Sequence, residues 1–305
     1  MTNLNNPLHI GADSVLPLQL EKSSFRGRLV RLGPVLDTII NQHAHPMPVA
    51  RLLGETTVIA AALGTSLKFD GVFTLQVKSE GVVRMLVADV TSDGSVRAYA
   101  QYDATRVAEE GGALLGEGYL AFTVDQAETD ERYQGIVKLQ GDSLAEAVQH
   151  YFRQSEQIPT GIMAAVRQDA KGHWHGGGLM LQRMPREGGL VAADTSVEDD
   201  WHRAMILMQS CTLEELTDPA LEGETLLYRL FHEDGVRVFE AKALRHQCRC
   251  SRERVAGILG SLPRGEIEEL AVDGIVSVTC EFCNSRYDFD EPQIAALHEA
   301  TVVPD

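Results

Sequence analysis

The sequence predicts an α+β core domain of strands with packed helices over residues 1–185, a helical linker region over 186–240, and a small C-terminal four-cysteine domain over 241–305. Three observations predict it. Between residues 71 and 184, several runs alternate apolar and polar residues and are parted by glycine-bearing turns, as half-buried strands require. Composition changes over 185–200, where Gly188-Gly189 is followed by Asp194, Glu198, Asp199 and Asp200. Four of the five cysteines fall in two tight pairs within residues 248–283.

Length and composition bound the rest. At 305 residues and 33.4 kDa the chain can bury one sizeable core and still build a smaller second unit. With 44% hydrophobic and 23% charged residues it has the balance of a soluble globular protein. A net charge of −17 repels a phosphate backbone, so no nucleic acid is expected as a general partner. The first nine residues carry no basic cluster ahead of an apolar run, so no secretory leader is expected, and the setting is a reducing cytoplasm. The most apolar stretch, 49–67, is interrupted by Arg51, Gly54, Glu55 and several threonines. It reads as a buried helix, with no membrane partner implied.

Residues 1–24 read as a loose entry segment, and 25–32 as a first strand that Gly33-Pro34 breaks. Over 35–43, Val35, Leu36, Ile39 and Ile40 share one helical face. Pro46 and Pro48 open the next helix, whose Leu52, Leu53, Ile59, Ala60 and Leu63 cover more than one face, which suits a core helix. Strands are expected at 73–77, 83–90, 96–100, 119–124 and 133–139, with turns at Asp70-Gly71 and Asp93-Gly94. Residues 143–152 turn Leu144, Ala147, Val148, Tyr151 and Phe152 to one side of a helix. A late hairpin, 162–166 and 178–184, is joined by the polar turn 169–172. Gly176-Gly177-Gly178 lacks the lysine and helix start of a phosphate loop and is expected in a hairpin turn.

In the linker region a helix restarts at 201–207, and Thr212 with Glu215 has the form of a capping box. Leu226, Leu227, Leu230 and Phe231 then make an apolar helical stripe ahead of a short strand at 235–240. Met180, Met184, Met205 and Met208 gather around the boundary. Adaptable methionines recur on promiscuous binding surfaces, but packing on the core is the plainer expectation. Cys211, alone, reads as a small buried hydrophobe. In the last domain Ser251 is the expected N-cap of a helix carrying Val255, Ile258, Leu259 and Leu262, and Pro263 ends it. A second short helix follows at 266–272, and strands at 274–279 and 286–289 flank the second cysteine pair.

Cys248-x-Cys250 and Cys280-x-x-Cys283 are separated by 29 residues, 251–279. Two short-spaced pairs in one small segment read as a four-thiolate zinc site, each pair offering two soft ligands from one turn of backbone. A thioredoxin-like redox pair would open a helix in a βαβ unit. Here Cys280 and Cys283 lie between strand-like runs, a zinc-knuckle setting in which Asn284 tolerates left-handed backbone. Four thiolates leave no open metal position, so an enzyme is not expected. His246 reads as a solvated or packing residue.

Spacing by itself favours a closed structural zinc, supplying on the order of 10–16 kcal/mol to a domain too poor in apolar residues to fold alone. Two features point to a switch instead. Cys248-x-Cys250 is an unusual zinc spacing, and a disulfide there would close a small strained ring of labile character. Arg245, His246, Arg249, Arg252 and Arg254, with a helix start at Ser251, favour thiolate over thiol. Were oxidation to join sulfurs within each pair, the tie across 29 residues would be lost. Loops this short restrict almost no chain entropy, so the domain would loosen. The alternative is a zinc-ribbon adaptor of RNA or ribosomes with a purely structural zinc, which needs the basic surface that only 245–254 offers.

The chain also resembles a known family, the 33 kDa redox-regulated chaperonins of bacteria (heat shock protein 33). The resemblance runs nearly end to end through LKFDG at 67–71, ERYQG at 131–135, Tyr151-Phe152 with SEQIPT at 155–160, GGLMLQ at 177–182, LYRLFHE at 227–233 and CRCSRER at 248–254. Asn284 departs from the glycine that commonly follows the last cysteine there, and leaves the ligands untouched. The resemblance implies an ATP-independent holdase and not an enzyme. Cys248, Cys250, Cys280 and Cys283 would hold one Zn(2+) per chain in the reduced, inactive state. Oxidants with unfolding conditions would form Cys248–Cys250 and Cys280–Cys283 disulfides and unfold the linker and zinc domain. The chain would then form a homodimer and bind unfolding client proteins. These implications raise the exposed-surface reading of the methionine segment for the oxidised state.

Overall fold

The first strand lies inside the segment expected to be loose. In this computed structural model, which describes residues 13–23, 25–107, 114–129, 131–141, 143–184 and 195–301, β1 (Ser14–Leu20) and β2 (Phe25–Leu32) form a hairpin. Helices α1 (Pro34–Asn41) and α2 (Met47–Gly64) follow. Next come β3 (Gly71–Ser79), β4 (Val83–Thr91), β5 (Ser95–Tyr102), the single turn α3 (Ala104–Val107), β6 (Gly118–Gln126) and β7 (Arg132–Lys138). Helix α4 (Leu144–Tyr151) runs into a π-helical turn, Phe152–Glu156, and the hairpin β8 (Thr160–Gln168) and β9 (Trp174–Arg183). Then come α5 (Thr195–Gln209), α6 (Leu213–Thr217), α7 (Gly223–Phe231) and three short strands, β10 (Val236–Val238), β11 (Lys242–Ala243) and β12 (Arg245–His246). The remainder is α8 (Arg252–Gly260), α9 (Arg264–Leu270), β13 (Ile275–Thr279), β14 (Arg286–Asp290) and α10 (Glu291–Thr301). The fold is α+β, in two compact units, Met1–His246 and Gln247–Asp305.

In the first unit one sheet has the order β10-β1-β2-β9-β8, with β11 also on β1. The other has the order β12-β5-β4-β3-β6-β7. All pairs are antiparallel except β12 on β5. Helix α2 packs on β3, β4 and β5 of one sheet and on β2, β8 and β9 of the other. That two-sided burial explains why its apolar residues cover more than one face. Thr56 and Thr57 donate to the Leu52 and Leu53 carbonyls (2.7 and 2.8 Å), so their buried hydroxyls stay satisfied. Among the described residues α2 is the helix long and apolar enough to cross a membrane, and 72% of it is buried inside this core.

Strand β1 escaped the sequence because Pro17 stands at its middle. Proline lacks the N–H that a central ladder needs. Here β10 pairs with residues 18–20 and β11 with 14–15, so Pro17 sits where neither short partner is in register. Residues 1–12 lie outside the described residues, as does 185–194, which includes the glycine-rich part of the expected boundary.

Gly176-Gly177-Gly178 is a correction: it lies inside β9 and not in a turn. A Cβ at Gly178 would lie 2.4 Å from Val58 of α2, and one at Gly177 would lie 1.8 Å from the Leu216 carbonyl of α6. The glycines let helices close on both faces of the strand.

Helices α5, α6 and α7 cover the outer face of the first sheet. Leu16, Leu18, Phe25, Leu29, Leu179 and Leu181 meet Ala204, Met208, Cys211, Leu216, Leu226, Leu227 and Phe231 there. The capping box forms: Glu215 N–H donates to Thr212 Oγ1 and Thr212 N–H to Glu215 (3.1 and 3.0 Å). Arg31 donates to the carbonyls of Leu216 (2.5 Å) and Asp218 (3.2 Å), tying the end of α6 to β2. Met180 and Met208 are buried, Met205 packs beside Met208, and Met184 is exposed. The second unit has its own small core of Val255, Leu259, Ile267, Val276, Phe289 and Ile294. Ile258, expected in it, faces solvent, because α8 buries only the i, i+4 pair Val255 and Leu259.

Candidate metal centre

The first cysteine pair sits in the extended stretch that precedes α8. Ser251 N-caps that helix, accepting from Arg254 N–H at 3.2 Å. The second pair sits in the turn between β13 and β14, which pair antiparallel from Ile275↔Asp290 to Thr279↔Arg286. Cys280 N–H donates to the Ser285 carbonyl (2.9 Å) and Asn284 N–H to the Cys280 carbonyl (2.8 Å). Asn284 takes the left-handed conformation, φ 57°, which asparagine reaches at low cost.

The four sulfurs of Cys248, Cys250, Cys280 and Cys283 lie within 4.8 Å of one another. Cys248 Sγ is 3.7 Å from Cys280 Sγ, and Cys250 Sγ is 3.3 Å from Cys283 Sγ. A disulfide needs about 2.05 Å, and all five cysteines of the chain are free thiols. A tetrahedron of sulfurs each about 2.3 Å from a zinc has edges of about 3.8 Å, so the donor set fits a metal of that class.

The environment of the sulfurs is uneven. Burial, reinforced by the neighbouring thiols, pushes Cys250 up to about 12, although Tyr287 Oη donates to it at 3.1 Å. Burial also raises Cys280. At Cys283 burial works the same way, but the Ser285 hydroxyl and N–H outweigh it and bring the thiol down to about 7. Protons are thus held unequally on Cys250, Cys280 and Cys283, in one small space. A divalent cation relieves that conflict by stabilising all four as thiolates.

The arginines do something other than expected. Arg245 pairs with Asp93 through its side chain and the Asp93 carbonyl. Arg252 donates to the Asp288 carbonyl (2.8 Å) and stacks over Phe289, 4.3 Å from its centroid. Arg254 donates to the Arg249 carbonyl (3.1 Å). The main influences on the sulfurs are burial, one another, Tyr287 and Ser285. The spacing of the cysteines did not reveal Tyr287 or Ser285; the one hint was that Tyr287 shares a strand face with core Phe289. His246 stands apart from the cluster, 3.4 Å from the Gln42 amide nitrogen, its pKa lowered by burial. Cys211 is buried under α5 and α6, and burial pushes its thiol up to about 11.

Comparison with known proteins covers both the sheets and this cluster. The family model described as Hsp33 protein matches residues 13–290. A 33 kDa chaperonin of Caulobacter vibrioides is 38% identical over 307 residues, covering 96% of this chain and 99% of its own. One from Azotobacter vinelandii is 40% identical over 281 residues, 91% of each chain. The crystal structure of the 33 kDa chaperonin (heat shock protein 33 homolog) of Thermotoga maritima matches with a TM-score of 0.80. It covers 96% of this chain and 99% of that one, at 24% identity, and so speaks to the fold. By the extent of the family match and by identity over nearly its whole length, the chain belongs to the Hsp33 family.

Proposed function

We propose that this protein is a redox-regulated, ATP-independent holdase chaperone that keeps unfolding proteins from aggregating once its cysteines are oxidised. Membership of a chaperonin-named family supports the chaperone part and a non-enzymatic role. The observation that carries the redox part is the convergence of four reduced sulfurs, two from each end of a 29-residue segment, on one point. Cys248, Cys250, Cys280 and Cys283 would hold one zinc in the resting state. Zinc, when bound, keeps the four sulfurs as thiolates and ties the two pairs together. Two thiols that join lose two protons and two electrons, which a peroxide takes up as it is reduced to water. Cys248–Cys250 and Cys280–Cys283 bonds would leave the second unit to its small core, in which six of the described residues are buried.

The chain carries that loss inward. Cys248 follows two residues after β12, and β10, β11 and β12 hold the sheet edges through only three, two and two residue pairs. Helices α6 and α7 have five and nine residues, too short to persist without packing. Once they lift, the outer face of β1, β2 and β9 offers Leu18, Phe25, Leu29 and Leu181 to client segments or to a second copy. The homodimer and the cytoplasmic setting belong to the same proposal. Arg245, Arg252 and Arg254 each donate within the chain, to Asp93, Asp288 and Arg249, which weighs against the RNA or ribosome adaptor.

The test is peptide mapping by mass spectrometry after peroxide treatment, with zinc release followed by a chromogenic chelator. Disulfides within each pair, with one zinc released per chain, are expected. Cys250 Sγ lies 3.3 Å from Cys283 Sγ, a sulfur of the opposite pair, so the pairing is informative. Cys250–Cys283 or Cys248–Cys280 bonds would preserve the long-range tie and contradict the proposal.

A further inference from the structure

The inner face of the first sheet breaks its own pattern at one end. On β2, Val30 and Leu32 point into the core between the sheets. Residues two and four places earlier on the same face are Arg28 and Arg26. In register across β9, Arg28 meets Met180 and Arg26 meets Gln182. The facing sheet stays aromatic, with Phe73 on β3 and Phe122 on β6. A cavity of about 510 Å³ lies between them, within the usual ~300–1,000 Å³ of small-molecule sites. Its wall is a chain of rings: Phe73 to Phe122 at 6.3 Å, Phe122 to Tyr151 at 4.5 Å and Tyr151 to Phe152 at 5.4 Å.

Charge is distributed around this cavity in one sense. Lys68 joins Arg26 and Arg28 in its lining. Among the described residues none of the three makes an ion pair with a carboxylate. Arg28 donates only to carbonyls, of Gly27 (2.8 Å) and Thr65 (3.4 Å). Burial, and the like charge of Arg26, lower its pKa, the sign of a cation short of a counter-charge. Among the described residues the acid in the lining is Glu156, which already accepts from Tyr133 and Tyr151 (2.7 Å each). This happens in a chain of net charge −17. Three cations that no described carboxylate pairs, at the rim of an aromatic cavity, complement an anion with an apolar body. The segments 67–71, 131–135 and 155–160 contribute Lys68, Phe69, Tyr133, Glu156 and Ile158 to the lining, and the redox reading gives them no task.

We propose that this inter-sheet cavity binds an amphipathic carboxylate, its apolar tail among Phe73, Phe122, Phe152 and Met180 and its head on Arg26, Arg28 and Lys68. The site lies wholly within the first unit and needs no change in the cysteines.

The experiment is calorimetric titration of the full, reduced, zinc-loaded chain with decanoate below its micelle concentration, against decan-1-ol and decyltrimethylammonium. Decanoate is expected to bind one per chain, at least about tenfold tighter than the alcohol, as charge-assisted hydrogen bonds require. The Met180 methyl NMR signal should shift with saturation, which locates the ligand in the cavity. Arg26→Gln and Lys68→Gln, both on exposed positions, should each weaken decanoate several-fold and leave decanol unchanged. Arg28→Gln should weaken decanoate about tenfold if the variant remains folded, and the exposed pair carries the test if it does not. Equal affinity for decanoate and decanol, an unmoved Met180 signal, or affinities unaltered in Arg26→Gln and Lys68→Gln would overturn the proposal.

Discussion

Replacing Gly177 by alanine should make the reduced protein behave as if partly activated. The added Cβ would lie 1.8 Å from the Leu216 carbonyl oxygen, whereas real Cβ atoms keep at least 3.0 Å, so α6 must retreat by about 1.2 Å. Overpacking of this kind costs about 1–3 kcal/mol. The retreat also breaks the 2.5 Å bond from Arg31 to that carbonyl, a charged donor worth about 1.5–3 kcal/mol. Together about 2.5–6 kcal/mol comes off a typical ~5–15 kcal/mol. For a unit of this size, at about 2–4 °C per kcal/mol, the melting temperature should fall by roughly 5–24 °C. The assay is a thermal melt with a dye that reports exposed apolar surface, alongside suppression of client aggregation by the reduced variant. Gly257→Ala is the control, because its Cβ meets nothing within 4 Å. A Gly177→Ala protein with an unaltered melt and no activity when reduced would refute the claim that α6 is a tightly seated cover.

Three further outcomes follow from the site and core. Cys211, its thiol pushed up to about 11, should resist iodoacetamide at pH 8 in the native protein while the other four react after zinc is chelated, and intact mass should show four additions, not five. Tyr287→Phe removes the donor to Cys250 and should weaken metal affinity about tenfold in a chelator competition. Glu55 on α2 is pushed from 4.5 up to about 7 by burial, against Arg51. The folded state therefore binds the extra proton, and this contribution is complete below pH 4.5 and lost as pH rises through 7. Glu55→Gln should raise the melting temperature at pH 8 and leave it unchanged at pH 4.

Much of the fold could be read in advance because its signals are local. Strand alternation, the Thr212–Glu215 box and the Ser251 cap each act within a few residues, and each formed where expected. The features that escaped are decided by distant chain. Pro17 is tolerated in β1 only because β10 and β11 leave a gap beside it, and no local window contains that fact. The three glycines of β9 look like a turn until Val58 and Leu216 arrive from far along the sequence. The four cysteines were readable from their spacing and meet at one point. For the arginines around them, proximity in sequence says nothing of where a long side chain finds its partner, here Asp93 for Arg245 and Phe289 for Arg252. Arg26 and Arg28 stand at inward positions of β2, where the alternation calls for apolar side chains. Charges at inward positions of a strand mark a site more often than a mistake in the pattern.

Oxidation of the four cysteines is proposed to turn the chain into a holdase. Light scattering of a heat-unfolding client enzyme tests it directly, with the protein added either reduced and zinc-loaded or treated with peroxide at elevated temperature. Suppression by the oxidised form alone, reversed when dithiothreitol restores the thiols, is expected. Equal scattering with both forms would contradict it, and would leave the metal centre a structural device.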